Sequence, residues 1–245
     1  MIHVSLAAEK IIDIFGFPLT NALLTSWLVI AIFLVGVLLL KKEMHLVPRG
    51  AQNAVEFVID NLLGFMTTVA GSREKAEKFF PIVATIFLFI LVSNWVGILP
   101  GVGSIGFYEH GEHGEVFVPF LRSANADLNV TLALALIAVT LSHFFGMISL
   151  GIFKHLGKFF NFKNPIDFFV GILEFISEFA KIISFSFRLF GNIFAGEVLL
   201  VIITFLVPYV APIPFYGLEI FVGFIQALIF AVLTMMFLVV ATEHH

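Results

Sequence analysis

The amino-acid sequence predicts an all-α polytopic membrane protein, with about five membrane helices and one interfacial amphipathic helix. Three observations support this fold class. Hydrophobic residues make up 60% of the 245 residues and charged residues only 12%. The mean hydropathy is +1.08, whereas a soluble domain of this size does not need so much apolar surface. Uncharged apolar runs long enough to cross a bilayer recur along the chain, so we expect one integral membrane domain over residues 1–245.

Charge and cysteine content exclude several functional classes. The net charge of −4 gives a nucleic-acid partner no electrostatic support. The chain has no cysteine, which excludes disulfides, thiolate metal sites and cysteine nucleophiles together. Glu9, Lys10 and Asp13 precede the first long apolar run, and the basic start of a cleaved signal peptide is missing. We therefore expect the chain to be mature from Met1.

The first membrane helix is predicted over residues 20–41. The run from Leu23 to Leu40 is apolar and uncharged, and Lys41 and Lys42 end it. Its 18 residues just span the hydrocarbon core, and an extension back toward Ile14 makes the span comfortable.

Residues 50–71 predict an amphipathic helix that lies along the membrane surface. Polar residues recur at helical spacing on one side and apolar residues on the other, which leaves too many polar groups for a helix in lipid. A soluble helix packed on a neighbour is the alternative. The polar side carries Gln52, Asn53, Glu56 and Asp60, and the apolar side carries Val55, Val58, Leu62, Phe65, Met66 and Val69.

The second and third spans are predicted over residues 79–100 and 128–153. Trp95 suits an interfacial aromatic anchor near the far end of the second span. Asp127 is placed to cap the third span. His143 lies inside that span, where a hydrogen-bonded packing role is favoured and a place beside a water path is the alternative.

The segment between these spans contains two patterns typical of other functions. Residues 101–106 match the dinucleotide pattern GxGxxG, but they follow a membrane helix and not a strand, so we reject this interpretation. The stretch from Glu109 to Glu115 contains three Glu and two His, which could form a metal site. We favour an acidic solvated loop, because no fixed secondary structure is expected to align the ligands.

A long, strongly tilted helix is predicted at 165–207, with its span over 166–207. No proline lies between Pro165 and Pro208. A continuous helix of this length is about 60 Å long, roughly twice the hydrocarbon thickness, so it must either break or tilt. Glu174, Glu178 and Lys181 in its first half favour an interfacial start and a strong tilt.

The last span is predicted over residues 214–241, and the basic residues then give the orientation. With segment 50–71 lying flat, nine basic residues fall in loops on one side, and only Lys10 and Arg122 fall on the other. The positive-inside rule therefore places the N-terminus outside and the C-terminus in the cytoplasm. The nine are Lys41, Lys42, Arg49, Arg73, Lys75, Lys78, Lys154, Lys158 and Lys163.

Arg188 lies deep in the long apolar segment. Arginine keeps its charge at any accessible pH, and a charge at the bilayer centre costs about 2.5–3.5 kcal/mol on insertion scales. Such a residue is retained where it faces a partner, water or a moving charge. A functional role is therefore favoured over a structural salt bridge.

Several polar residues accompany Arg188 at membrane depth. On a helical wheel Glu197 falls on the opposite face, about 13 Å along the axis, so we expect no simple salt bridge with Arg188. Glu219 and Gln226 share one face of the last span. Carboxylates at this depth are candidates for proton relay. The residues on the face of Arg188 are Lys181, Ser184 and Asn192.

The segment Arg188-Leu-Phe-Gly-Asn-Ile-Phe-Ala-Gly-Glu197 resembles the signature of the a subunits of F-type ATP synthases. Three further stretches are similar to the same family. The resemblance covers essentially residues 20–245, and the arginine motif is highly specific. The three stretches are Asn94-Trp95 through Pro100, Ala126-Asp-Leu-Asn-Val-Thr-Leu132, and the helix with Glu219 and Gln226.

The resemblance implies a stator subunit in the membrane sector of the rotary ATP synthase, with two offset half-channels that carry protons to and from a rotating c-ring. It implies Arg188 as the essential arginine, which forces deprotonation of the ring carboxylate and blocks a short circuit. It also implies peripheral stalk b subunits and other ATP synthase subunits as partners, a bacterial inner membrane, and no catalytic site or cofactor in this chain. The residues implied along the proton path are Asn192, Glu197, Glu219 and Gln226 on the outer side and Ser184 on the inner side.

Other functional classes are less well supported. A secondary ion transporter or channel with an Arg/Glu relay is the main alternative, but no second copy of the arginine motif marks the internal repeat expected of a transporter. A voltage sensor needs arginines at three-residue intervals, and an intramembrane hydrolase needs a nucleophile with its base or a zinc motif. Neither pattern occurs, and the choice between H⁺ and Na⁺ as the coupling ion stays open.

Overall fold

The computed structural model of the chain describes residues 7–14, 16–42, 45, 47–99, 101–111, 114–157, 159 and 164–243. Most of these residues are helical. Five of the helices are long and apolar enough to cross a membrane, and α2 and α5 are not among them. This confirms the predicted all-α polytopic fold with five spans. In chain order the helices are α1 (Asn21–Lys42), α2 (Ala51–Ala70), α3 (Arg73–Ile98), α4 (Leu128–Leu150), α5 (Ile152–Leu156), α6 (Pro165–Leu206) and α7 (Pro212–Thr242).

The helix ends follow local sequence signals. The Asp127 carboxylate accepts a hydrogen bond from the Asn129 backbone N–H, as a cap of α4 should. The helix ends before Gly151, whose φ of +86° a side chain would oppose. Helix α3 begins at Arg73 and not at residue 79. The predicted span began with the uncharged apolar run, and the first turns of the helix carry charged residues that precede this run.

Helix α6 is continuous over 42 residues, which corresponds to about 63 Å. Pro165 occupies its first turn, where a missing backbone N–H costs nothing. Within the helix no proline interrupts the hydrogen-bond ladder, so α6 does not break. Its tilt in the membrane stays a prediction.

The bundle core lies where α3, α4, α6 and α7 meet. Phe79 and Met235 are almost fully buried there. The ring of Phe185 on α6 stacks on that of Phe230 on α7, with centroids 4.9 Å apart. These contacts hold α6 and α7 side by side, which positions the residues described below.

Helix α2 contacts this core through only part of its predicted apolar side. Leu62 and Met66 are buried, whereas Val55 and Phe65 remain exposed. The apolar side therefore extends beyond what the chain itself covers. Whether that remaining surface lies on lipid stays a prediction.

Two short antiparallel hairpins were not predicted. Strands β1 (Lys10–Ile14) and β2 (Phe17–Thr20) precede α1, and strands β3 (Gly106–Gly111) and β4 (Gly114–Pro119) connect α3 to α4.

The prediction that segment 109–115 lacks fixed secondary structure was wrong. Tyr108 opposes Phe117 across the second hairpin, with ring centroids 5.4 Å apart, and such cross-strand aromatic pairs stabilise hairpins. The polar composition between the strands hid this pairing. The side chains of residues 109–116 lie outside the described part of the structure, so the choice between metal site and solvated surface stays open.

Candidate functional site

Arg188 lies on an exposed face of α6. Its Nη2 donates a hydrogen bond to Ser184 Oγ at 3.4 Å, and Asn192 Nδ2 donates to the Arg188 carbonyl at 2.9 Å. All three residues are exposed, as are the small residues Gly191 and Ala195 on the same face. The face predicted by the helical wheel is thus an open surface with one cation at its centre.

No described carboxylate forms an ion pair with Arg188. Glu178, the nearest acid on the preceding part of α6, pairs with Lys181 instead, and Glu197 pairs with Arg122. On α7, the polar Gln226 lines the same shallow groove as Arg188, together with Ile229 and Phe230. Arg188 is therefore not the cation of a structural salt bridge within the described chain.

Glu197 and Glu219 line one cavity of about 210 Å³ between α3, α6, α7 and the segment before α4. The side chain of Glu197 is 31% exposed, and Glu219 is 6% exposed. Two carboxylates thus face a space that can hold several water molecules.

Arg122 is the cation of this cavity. Its Nε donates to both carboxylate oxygens of Glu197, at 2.9 and 3.0 Å. Its Nη1 donates to the Ala7 carbonyl at 3.3 Å, and its guanidinium lies 5.7 Å from the centre of the Phe194 ring. The guanidinium is thus held by two segments, and its Nε–H is shared between the two Glu197 oxygens in a charge-assisted contact.

From the sequence, Arg122 is predicted only as a loop charge on the outer side. The structure instead buries its side chain to 5% exposure. Its partner Glu197 lies 75 residues further along the chain, so no local spacing connects the two. The only sequence feature that pointed to a buried role for Arg122 was its place directly before the polar Ser123–Asp127 stretch.

Glu219 approaches α6 at a glycine. A Cβ on Gly196 would overlap the Glu219 carboxylate, so glycine leaves room for the carboxylate in this position. Among the described residues the Glu219 carboxylate forms no hydrogen bond or ion pair, and its polar surroundings are those of the cavity. Gly196 therefore determines where the carboxylate lies, and sequence analysis did not single it out.

A buried amide network positions α7 beside α3. Asn94 Nδ2 donates to the Gly223 carbonyl at 3.0 Å, and Asn94 Oδ1 accepts from Asn125 Nδ2 at 2.8 Å. The Trp95 indole N–H donates to the Ile220 carbonyl at 3.2 Å. These bonds join three segments one turn from Glu219, so they hold its carboxylate in register with α6.

The predicted site residues therefore form two groups. Glu197 and Glu219 share the cavity, and Ser184 and Asn192 flank Arg188 on the open face. Asn192 does not line the cavity, and Gln226 lies in the groove beside Arg188. The structure gives these positions, and the role of each residue stays a prediction. Among the described side chains no three His, Asp or Glu converge as metal ligands do.

Comparison with known proteins connects this arrangement to one family. Residues 23–239 match the profile of the family described as ATP synthase A chain. An ATP synthase subunit a of Campylobacter jejuni is 36% identical over 218 residues, which cover 88% of this chain and 87% of the relative. One of Campylobacter fetus is 35% identical over 228 residues, with 92% of each chain covered. The protein, an integral membrane protein of five spans, belongs to the ATP synthase A chain family.

Proposed function

We propose that this chain is the stator subunit of the ATP synthase membrane sector and carries protons to and from a rotating ring of c subunits. The family and its similarity to ATP synthase subunit a over most of the chain support a place in that complex. The other ATP synthase subunits are then its partners, including the peripheral stalk b subunits. Because the relatives are bacterial, the location is a bacterial plasma membrane.

One observation carries the proposal: Arg188 is exposed on an open helix face without a described carboxylate partner. A permanent cation at membrane depth is costly unless it meets an opposite charge. The chain does not supply that charge at this face. A carboxylate on another subunit, arriving as the ring turns, is the partner that the geometry accommodates.

The mechanism is electrostatic. A protonated ring carboxylate is neutral and can travel through lipid without the cost of a buried charge. Within about 4–6 Å of Arg188 the ionised form is favoured, and the carboxyl group releases its proton. The emptied site is then reloaded from the other side of the stator. Each proton crossing supplies about 2.3 kcal/mol per 100 mV of membrane potential.

Two separate paths are needed for rotation, and the polar residues divide accordingly. The cavity with Glu197 and Glu219 serves as the outer half-channel, with Asn192 and Gln226 between it and the ring. Ser184, one turn before Arg188, begins the inner path. Arg188 stands between the two and repels a proton that would pass directly. With the N-terminus outside and the C-terminus in the cytoplasm, as the basic loops favour, the cavity opens to the outside.

The test replaces Arg188 in vesicles that contain the whole ATP synthase. We expect Arg188→Ala to leave the complex assembled and to abolish ATP synthesis, because the ring carboxylate then passes the stator protonated. Arg188→Lys should fail as well, because an ammonium lacks the rigid planar fork of a guanidinium. The measurements are ATP synthesis, passive proton permeability and the amount of subunit retained in the complex.

Arg73→Ala is the matched control. Arg73 forms an exposed pair with Glu77, with side chains 60% and 55% exposed, and such pairs contribute little. This variant should synthesise ATP normally. Normal synthesis by Arg188→Ala, with the complex intact, would refute the proposed function.

A further inference from the structure

A second polar cluster lies on the other side of Arg188 from the cavity. It contains Glu178 and Lys181 on α6, His143 on α4 and His155 on α5. Glu178 Oε1 accepts from Lys181 Nζ at 2.6 Å, and Glu178 Oε2 lies 3.4 Å from His143 Nε2. The other ring nitrogen of His143, Nδ1, lies 3.1 Å from His155 Nε2. Sequence analysis favoured His143 as a packing residue, and the structure places it inside this polar cluster.

The contacts form a line and not a ring of ligands. One nitrogen of His143 faces a carboxylate and the other faces a second imidazole, so the three groups are connected end to end. A metal site would need their donor atoms to converge on one point. A chain of carboxylate, imidazole and imidazole is instead the arrangement through which a proton can move, since a histidine can accept at one nitrogen and donate from the other.

The cluster is partly enclosed and reaches two cavities. One of about 80 Å³ is lined by all four polar residues, and one of about 370 Å³ by both histidines and Glu178. The ring of Phe159 packs against both imidazoles, with centroid distances of 5.9 and 6.1 Å. The protein therefore keeps the imidazoles oriented, with His155 buried to 4% exposure and with cavity space beside the cluster.

The cluster lies about as far from Arg188 along α6 as Glu197 does, but in the opposite direction. Glu178 precedes Arg188 by ten residues on the continuous helix α6, about 15 Å along its axis. Glu197 follows Arg188 by nine residues, about 13 Å in the other direction. Titratable groups thus lie on both sides of the arginine at similar distances, and Ser184 lies between Glu178 and Arg188.

We propose that Glu178, His143 and His155 form a proton relay that connects the Ser184 side of Arg188 to the aqueous phase near α5. This inference rests on the proposed function, because it supplies residues for the inner of its two paths. A proton reaching Glu178 passes to His143 Nε2 as the proton on His143 Nδ1 moves to His155 Nε2. His155 then releases the proton on its Nδ1 to water. Both imidazoles are left in the opposite tautomer and return to the starting one before the next proton arrives. Over this full cycle one proton is moved, and only O–H and N–H bonds form and break.

Other charged groups around the imidazoles come from the same helices. Lys181 pairs with Glu178, and its Nζ lies 5.0 Å from the centre of the Phe237 ring on α7. Glu174 lines the smaller cavity, to which α7 contributes the apolar Val240 and Ala241. Lys181 keeps Glu178 in place but carries no proton along the line, so we assign it a positioning role.

The test uses the whole ATP synthase in vesicles and measures ATP-driven proton pumping. His143→Gln keeps a polar side chain of similar size but cannot relay a proton. We expect pumping to fall about tenfold, less than the 10²–10⁴-fold that positioned acid–base groups can contribute, because water can bridge part of the gap. His45→Gln is the control, because His45 is an exposed loop residue outside the cluster; it should pump normally.

Chemical rescue separates a relay from a packing role. In His143→Ala, added imidazole should restore pumping, and pyrazole, which has the same size but is far less basic, should not. Pumping by His143→Gln within twofold of the original protein would overturn the relay. So would a His143→Ala defect that imidazole fails to restore, or one that both compounds restore equally.

The Arg188→Ala variant, measured beside these, keeps the two proposals apart. If Arg188→Ala loses pumping and the histidine variants do not, the relay is wrong and the stator function stands. If Arg188→Ala pumps normally, the proposed function itself fails.

Discussion

Gly196→Ala tests whether the position of the Glu219 carboxylate matters for proton transfer. A Cβ at residue 196 would overlap the carboxylate of Glu219, well inside the 3.4 Å at which ordinary contact begins. The carboxylate must therefore withdraw from α6 by more than about 1 Å. Because it is the far end of a flexible side chain, it can do so by rotating, and the backbone of α6 and α7 can stay in place.

The stability of this variant should change little, whereas its activity should fall. Gly→Ala in a helix interior favours the helix by about 0.5–1 kcal/mol, which offsets the cost of moving one side chain. Proton transfer depends on position far more steeply, and a displacement of 1 Å can cost 10²-fold. Because water in the cavity can bridge part of the new gap, we expect about a tenfold loss of ATP-driven pumping.

The assay compares pumping per assembled complex in Gly196→Ala, Glu219→Asp and the double variant. Aspartate is shorter by one carbon, about 1.5 Å, so its carboxylate fits beside an alanine at residue 196. Each single variant should pump slowly, and the double variant should recover part of the loss. Gly217→Ala is the control, because a Cβ at Gly217 meets nothing within 4 Å.

Two results would refute this reasoning. Normal pumping by Gly196→Ala would mean that the close approach of Glu219 to α6 has no role in transfer. Equal or greater loss in the double variant would mean that Gly196 acts through something other than the length of the Glu219 side chain.

Two further predictions concern Arg122 and the orientation of the chain. Arg122→Met should lower the free energy of unfolding of the subunit by about 1–3 kcal/mol, because it leaves a partly buried Glu197 without its cation; the measurement is the temperature at which the subunit leaves the complex. Adding Glu197→Gln should restore most of the lost stability, and additive effects of the two changes would contradict the pairing. In the cysteine-free chain, an impermeant maleimide should label Ser72→Cys only from the cytoplasm and Ile105→Cys, at a site 67% exposed, only from outside. Labelling of both from one side would contradict the flat placement of α2.

Much of the fold could be predicted because membrane helices are encoded locally. An apolar run such as Leu23 to Leu40 predicts a span from its own residues, and the absence of proline after Pro165 predicted that α6 could be continuous. The hairpins could not be predicted in this way. Pairs such as Tyr108 with Phe117 join residues of two short segments, and each segment alone is too brief to predict the pairing.

The residues of the candidate site likewise differ in whether local sequence could predict their contacts. Ser184, Arg188 and Asn192 occur at four-residue spacing on one helix, so a helical wheel places them together. The partners of Arg122 and Gly196 lie on other segments, at Glu197 and Glu219, and their contacts depend on how α6 and α7 pack. A sequence states which residues are present at membrane depth, whereas packing decides which of them meet.

The distribution of charge along α6 and α7 is consistent with the proposed role opposite a moving partner. Glu178 and Glu197 each have a cation of their own, Lys181 and Arg122, so neither competes for Arg188. Glu219 has no ion pair within the described chain, but it lies seven residues from Gln226, about 10 Å along α7, and Gln226 lies in the groove of Arg188. That separation is too long for an ion pair, so the arginine stays available. A carboxylate brought to the open face by another subunit would meet no competing carboxylate among the described residues, and a neutral amide lies in the same groove as the cation.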